Sequence, residues 1–179
     1  VYANESGALN ESFSDIFGDV IENTVTGTND WLVGDDRTNG AIRSMSNPNA
    51  NNDPDTYLGT NWFTGTGDNG GVHTNSGIPN HAFYLLAKGG THRKGGTMLG
   101  IGAEQAADIW FKALKDHLGY NATFQDARLA TLAAGTLAIG LLLVVLEAQG
   151  GRHPVSGRVI APVMGVGGGF CMTGAAGWL

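Results

Sequence analysis

A chain of 179 residues with 42% apolar and 15% charged residues has the material for one globular domain and is neither a disordered chain nor a coiled coil. Its single cysteine excludes a disulfide framework and a zinc–thiolate fold. Its net charge of −6, with no lysine–arginine cluster, excludes a nucleic-acid-binding surface. The charges are unevenly placed: all eight in the first 36 positions are acids, Arg37 is the first base, and after Arg128 only Glu147, Arg152 and Arg158 remain. The chain opens at Val1 with no charged-then-apolar leader, which leaves secretion undecided.

Residues 4 to 22 carry Leu9, Phe13, Ile16, Phe17, Val20 and Ile21 at three- and four-residue steps, the period of a helix with one apolar face. Residues 23 to 70 are rich in Asn, Asp, Gly, Thr and Pro and have no sustained period. They read as a long, irregular but ordered loop region, anchored by Trp31, Met45, Tyr57, Trp62 and Phe63. A second helix is expected from Val72 to Lys88, with Pro79 in its first turn and Gly89-Gly90 as its stop. A third spans Ala103 to Leu118, with Glu104 near its start, Lys112 and Lys115 near its end, and Ile109, Trp110, Ala113 and Leu114 on its apolar face. A fourth begins at Thr123, where Thr123 and Asp126 have capping-box spacing, and continues through Ala127, Leu129 and Leu132. Leu129 to Leu146 is an 18-residue run without charge, at the lower limit for a bilayer span. Gly135, Thr136 and Gly140 dilute it and no basic cluster flanks it, so a membrane role is not expected. The glycine-rich tail from Gly150, which holds Cys171, shows neither helical nor strand period.

Two constellations carry chemistry. On a helix Glu11, Asp15, Asp19 and Glu22 share one stripe, and each like-charge neighbour costs about 0.2–0.5 kcal/mol. Solvent, a distant base or histidine, or a divalent cation must compensate. Asp30, Asp35 and Asp36 follow in a loop near enough to fold back on Glu22 and complete a calcium cage, although EF-hand spacing is missing. The alternative is a solvated acidic face. In the second constellation, Asp68-Asn69-Gly70-Gly71-Val72-His73, a tight turn would return the Asp68 carboxylate to the His73 ring and favour a cationic donor for a developing oxyanion. The plainer reading is a surface turn beside a histidine. His81, His92, His117 and His153 lack ligand spacing and read as structural or exposed.

Four segments in order are more specific: NESGALNESFSDIFG from Asn4, RSMSNP at Arg43 to Pro48, DNGGVHTNSGI at Asp68 to Ile78, and GGTH at Gly89 to His92. Over roughly residues 1 to 135 the chain resembles the second half of the thermolysin family of zinc metalloendopeptidases. The resemblance implies a mainly α fold, the C-terminal helical-bundle domain of such a protease with a long ordered calcium-binding loop region. It implies Glu11 as the third zinc ligand after two upstream histidines, with Asn10 and Asp15 as partners that hold those histidines. It implies His73 and Tyr2 as donors to the tetrahedral intermediate, with Asp68 orienting His73. Arg43 would bind a substrate carbonyl and Ile42 would line the apolar pocket for the residue after the scissile bond. Glu22, Asp30, Asp35 and Asp36 would bind calcium, with Thr28 giving a backbone oxygen. Zinc and calcium are the implied cofactors, a peptide or protein substrate and the N-terminal half of the catalytic unit the implied partners, and secretion the implied location.

Three departures accompany the resemblance. The chain contains no H-E-x-x-H, so it is expected to be inactive alone. The stretch between Asp36 and Arg43 is short. From residue 136 to 179 an apolar, glycine-rich tail stands where an amphipathic final helix is expected, and a shifted or misjoined reading frame would account for it. A non-catalytic, calcium-stabilised interaction domain derived from such a protease, or a membrane-anchored fragment, are the alternatives.

Overall fold

The computed structural model describes the backbone of residues 1–148 and the side chains of residues 1–136. The described chain is mainly helical: α1 (Asn4–Thr26), α2 (Asp68–Asn75), α3 (Gly77–Lys88), α4 (Ala103–Asp116) and α5 (Phe124–Ala148). Two short antiparallel ribbons join them, β1 (Leu32–Val33) with β2 (Arg43–Ser44), and β3 (Gly89–Thr91) with β4 (Thr97–Leu99). The loop region expected at 23 to 70 is ordered, and holds the β1–β2 ribbon and a 3₁₀ turn at Pro48–Asn51.

The core forms where α1, α3 and α4 meet. Ala8, Leu9, Phe13 and Ile16 of α1 pack with Ile78, Phe83 and Ala87 of α3, Ala106 and Trp110 of α4, and Phe124 at the start of α5. Burying each large apolar side chain contributes about 1.5–3 kcal/mol. The loop anchors act as expected. Met45 is fully buried, Trp31 packs edge-on against Tyr84 at 5.1 Å, and Tyr57, Trp62 and Phe124 form an aromatic cluster. A second, small-residue contact, Ala113 against Ala130 and Ala134, lets α5 lie close on α4.

The elements differ from expectation at identifiable points. α1 continues four residues past Glu22, with the hydroxyls of Thr24 and Thr26 bonded back to the carbonyls of Val20 and Glu22, and stops where Gly27 turns left-handed at φ 74°. The single helix expected from Val72 to Lys88 is two. Pro79 has no N–H to give to the Asn75 carbonyl, and the chain restarts at Gly77 after Ser76, with Pro79 in the first turn as anticipated. α4 ends at Asp116 rather than Leu118, and Leu114, expected on its apolar face, is 40% exposed. Its buried face is Ala106, Ala107, Trp110 and Ala113, at i, i+1, i+4 and i+7, one side of a 3.6-residue period. The Thr123–Asp126 capping box is present: Asp126 Oδ2 accepts from the Thr123 amide at 2.9 Å, and the Asp126 amide donates to the Thr123 hydroxyl at 3.2 Å.

The helix α5 runs through residue 135, where the domain was expected to end. Most of the apolar run to Leu146, like the tail with His153 and Cys171, falls beyond the described side chains. No helix within the described side chains is long and apolar enough to cross a membrane.

Candidate active site

The site is built where the first turns of α1 cross α2. Gly7 makes the crossing possible, since a Cβ there would stand 2.4 Å from Cγ1 of Val72. From Asp68 to Gly71 four consecutive residues have φ between 50° and 84°, a left-handed turn that the two glycines make affordable. Gly70 is needed twice over, because a Cβ on it would lie 2.2 Å from the Asn4 side-chain oxygen. The turn returns the Asp68 carboxylate to His73. One oxygen accepts from the His73 amide at 2.9 Å and the other meets ring Nδ1 at 2.5 Å. The Asp68–His73 pairing anticipated from the turn is therefore formed. Burial acts to raise the Asp68 carboxyl, but the bonds from the His73 ring and amide outweigh it and hold it below its ordinary value.

With Nδ1 engaged, Nε2 of His73 faces α1. It lies 3.4 Å from Glu11 Oε2 and 3.3 Å from the Tyr2 hydroxyl, which donates to Glu11 Oε1 at 2.5 Å. Tyr2, Glu11, Asp68 and His73 thus converge. The bond to Glu11 pushes the Tyr2 phenol up to about 12, with burial and the Glu11 and Asp68 charges adding to it. The Glu11 carboxylate is only partly covered, at 17% side-chain exposure. One carboxylate can supply at most a single protein ligand to a metal ion and does not make a closed site.

Behind Glu11 lies a charge network that sequence reasoning did not find. Arg43 of β2 grips Asp15 of α1 with Nε at 2.7 Å and Nη2 at 2.6 Å, and Nη2 is 3.9 Å from Glu11. Asn80 of α3 donates to the same Asp15 oxygen at 2.8 Å. Burial opposes the Arg43 charge, but the Asp15 bond more than restores it and its pKa is raised. Arg43 is therefore the distant base that the Glu11–Asp15 stripe required. Nothing in the sequence could pair it, because 28 residues separate it from Asp15. Asp53, buried close by, has its carboxyl pushed up to about 7 by burial, against the pull of Arg43. Asn10, expected beside Asp15 in a supporting role, is exposed, and its carbonyl accepts from the Ser14 hydroxyl. Ile42 is 41% exposed and packs beside Gly34.

The far end of α1 carries the other acids. Burial raises the Glu22 carboxyl, and the charges of Asp35, Asp30 and Asp36 add to that rise, so the loop does fold back on the helix. Asp19, buried and bonded to the Asn29 amide at 2.9 Å, is raised to about 6, mainly by burial. Asp30 caps the Leu32 amide at 2.9 Å, and the Thr28 carbonyl accepts from the Thr26 hydroxyl. The donors are hard oxygens, the set calcium prefers. Among the described residues, however, no group of three or more His, Cys, Asp or Glu side chains is drawn together tightly enough to hold a metal ion. The other described histidines are as expected: His81 and His92 are buried, His81 against the Met45 carbonyl at 2.8 Å, and His117 is exposed. Arg93, Thr56 and Asp55 form a separate network that pins the β3–β4 ribbon to the loop.

Comparison with known proteins identifies the family. A family model described as "Thermolysin metallopeptidase, alpha-helical domain" matches residues 1–140. The chain is 48% identical over 145 residues to a bacillolysin of Brevibacillus brevis, covering 78% of this chain and 26% of that protein. It is 47% identical over 139 residues to a thermolysin of Alicyclobacillus acidocaldarius and to the thermostable neutral protease NprT of Geobacillus stearothermophilus, in each case covering 75% of this chain and 25% of the relative. The chain spans about a quarter of the length of these curated relatives.

Proposed function

Because the chain belongs to the α-helical domain family of the thermolysin metallopeptidases, we propose that it forms the later half of the active site of a secreted zinc endopeptidase that cleaves peptides or proteins. The observation that carries this reading is the convergence of Tyr2 and His73 on Glu11, with Asp68 behind His73. No H-E-x-x-H occurs in the chain, so the two histidine ligands and the general base belong to the other half of the catalytic unit.

In this reading Glu11 is a metal ligand. Zinc, when bound, supplies Lewis-acid polarisation of the scissile carbonyl and of a water. Asp68 holds Nδ1 of His73 and fixes the ring with Nε2 toward Glu11 and Tyr2, where an imidazolium would donate through Nε2–H. The Tyr2 hydroxyl stands 3.3 Å from Nε2 and provides a second, neutral donor. Together they stabilise the negative charge that develops on the carbonyl oxygen. Arg43, anchored by Asp15, retains N–H groups for a neighbouring substrate carbonyl, and Ile42 lines the pocket for an apolar side chain. Asn10 and Asp15 support the metal end of α1. At the opposite end Glu22, Asp30, Asp35 and Asp36, with the Thr28 carbonyl, are the oxygens that would hold calcium once drawn together around it, and the ion would then fasten the loop to α1.

In the full-length protein, Glu11→Ala is expected to abolish zinc binding and peptidase activity together. His73→Ala is expected to lower kcat by about 10²–10³, the usual loss for one oxyanion donor, with zinc retained. Metal content by mass spectrometry decides both. Stoichiometric zinc in Glu11→Ala overturns the ligand role, and zinc loss in His73→Ala makes His73 a ligand.

A further inference from the structure

Phe63, expected only as an anchor of the irregular loop, is fastened separately to the turn that carries Asp68 and to the helical residues that carry His73. Its backbone is held by Asn75 of α2, whose side-chain oxygen accepts from the Phe63 amide at 3.0 Å and whose side-chain N–H donates to the Phe63 carbonyl at 3.2 Å. Asn75 is 3% exposed and stands two residues after His73, so both bonds come from one short, covered side chain and leave the Phe63 backbone little freedom to shift along α2. The ring is held by glycines. A Cβ on Gly71 would stand 2.6 Å from ring Cδ1, one on Gly65 would stand 2.8 Å from ring Cζ, and one on Gly67 would stand 3.6 Å from the same Cζ. The ring therefore fills the inside of the 65–71 segment. Over it the Gly67 carbonyl accepts from the Gly70 and Gly71 amides at 2.9 and 3.1 Å. The four positive-φ residues at 68–71 are a strained run that persists only where its surroundings hold it. Asp68 and Asn69 are exposed, and the turn is met by Asn4 at Gly70 and by the Phe63 ring at Gly71.

We propose that Phe63 is a positioning residue for the active site: its ring is the template over which the left-handed turn closes, and with Asn75 it sets the separation of the Asp68 carboxylate from the His73 ring. The inference rests on the reading of His73 as a donor to the developing oxyanion. Without the ring, Gly65, Gly67 and Gly71 border an empty space, and a segment this poor in side chains relaxes into it. Asp68 moves with the turn, whereas His73 stays on α2, held there by Val72, which is fully buried against Gly7. Nδ1 then loses its partner, and Nε2 its direction toward Glu11 and Tyr2.

In the full-length protein Phe63→Ala is expected to lower kcat about 10²-fold with KM steady and zinc retained, because a donor misplaced by about 1 Å is lost from the transition state alone. The His73 Nδ1–H proton resonance is expected to shift or vanish in the same variant. Phe63→Leu, which refills part of the space, should recover part of kcat and of the resonance. In an Asp68→Ala background Phe63→Ala should cost no further kcat, since the ring acts through that pair. A folded Phe63→Ala with native kcat and a native His73 resonance, whatever its loss of stability, overturns the proposal. A further loss of about tenfold in kcat beside Asp68→Ala overturns it equally. Should Phe63→Ala fail to fold, Phe63→Leu decides alone, and an unchanged kcat with an unchanged resonance overturns the proposal. Failure of the endopeptidase reading would show instead as a native protein without zinc or activity, in which Phe63→Ala still moves the His73 resonance.

Discussion

Arg43 and Asp15 join the β1–β2 ribbon to the first helix through two parallel bonds, at 2.7 and 2.6 Å, with side-chain exposures of only 12% and 5%. A bidentate pair this well covered behaves unlike a surface ion pair, because removal of one partner strands a desolvated charge. Asp15→Ala leaves Arg43 without its anchor and the Asn80 amide without its acceptor. We expect it to lower unfolding free energy by about 3–5 kcal/mol in urea titration. A loss under 1 kcal/mol would mean that the pair is screened by water.

Gly70→Ala tests the left-handed turn that sets His73. At φ 84° an alanine is strained by about 1–2 kcal/mol, and its Cβ would collide with the Asn4 side chain. We expect a loss of about 2–4 kcal/mol in thermal or urea unfolding, together with separation of the His73 ring from Asp68, seen as a changed His73 Nδ1–H proton resonance. An unchanged resonance would show that the pairing does not depend on the turn.

Asp19→Asn tests the buried acid beside the calcium-type loop. Burial, with smaller help from Glu22 and Asp30, raises the Asp19 carboxyl to about 6 from 3.8 despite the Asn29 bond. The folded protein therefore keeps a proton that the unfolded chain releases. Stability is full below about pH 4, falls as pH rises to about 6, and is level above that. The asparagine variant should lack this fall and be more stable than the native chain at pH 7 by about 1–2 kcal/mol, measured without divalent cations. An identical pH slope in the two proteins would place the proton elsewhere.

What could be read from the sequence was local. The period of α1, the charge order of α4 and the Thr123–Asp126 box each lie within a few residues, where helix geometry dictates neighbours. The Asp68–His73 pairing was legible for the same reason, since two glycines in a five-residue interval leave few ways to turn. The thermolysin-like motifs pointed to Glu11, Tyr2 and Arg43 as candidates, but not to the closing of Arg43 on Asp15, 28 residues away, or to Asn80 completing it from 65. Asp53 was passed over because an Asp before a Pro in a polar loop looks like a turn residue; only the tertiary fold buries it. The break at Ser76 was missed because Pro79, placed in the first turn, also leaves the Asn75 carbonyl unbonded, and the exposure of Leu114 because apolar content alone does not say which stretch of a helix meets a neighbour.

One carboxylate has a bearing on how the domain folds. Glu5, in the first turn of α1, accepts from the Tyr57 hydroxyl at 2.9 Å and from the Phe124 amide at 2.8 Å, a contact that closes 119 residues of chain. Loop-closure entropy delays a contact of that span until the intervening helices have condensed. Glu5 should therefore have a φ-value near zero: its removal would leave the folding rate unchanged and hasten unfolding. The residue that holds the start of α5 to the active-site end of α1 would then govern the lifetime of the site, not the speed with which it forms.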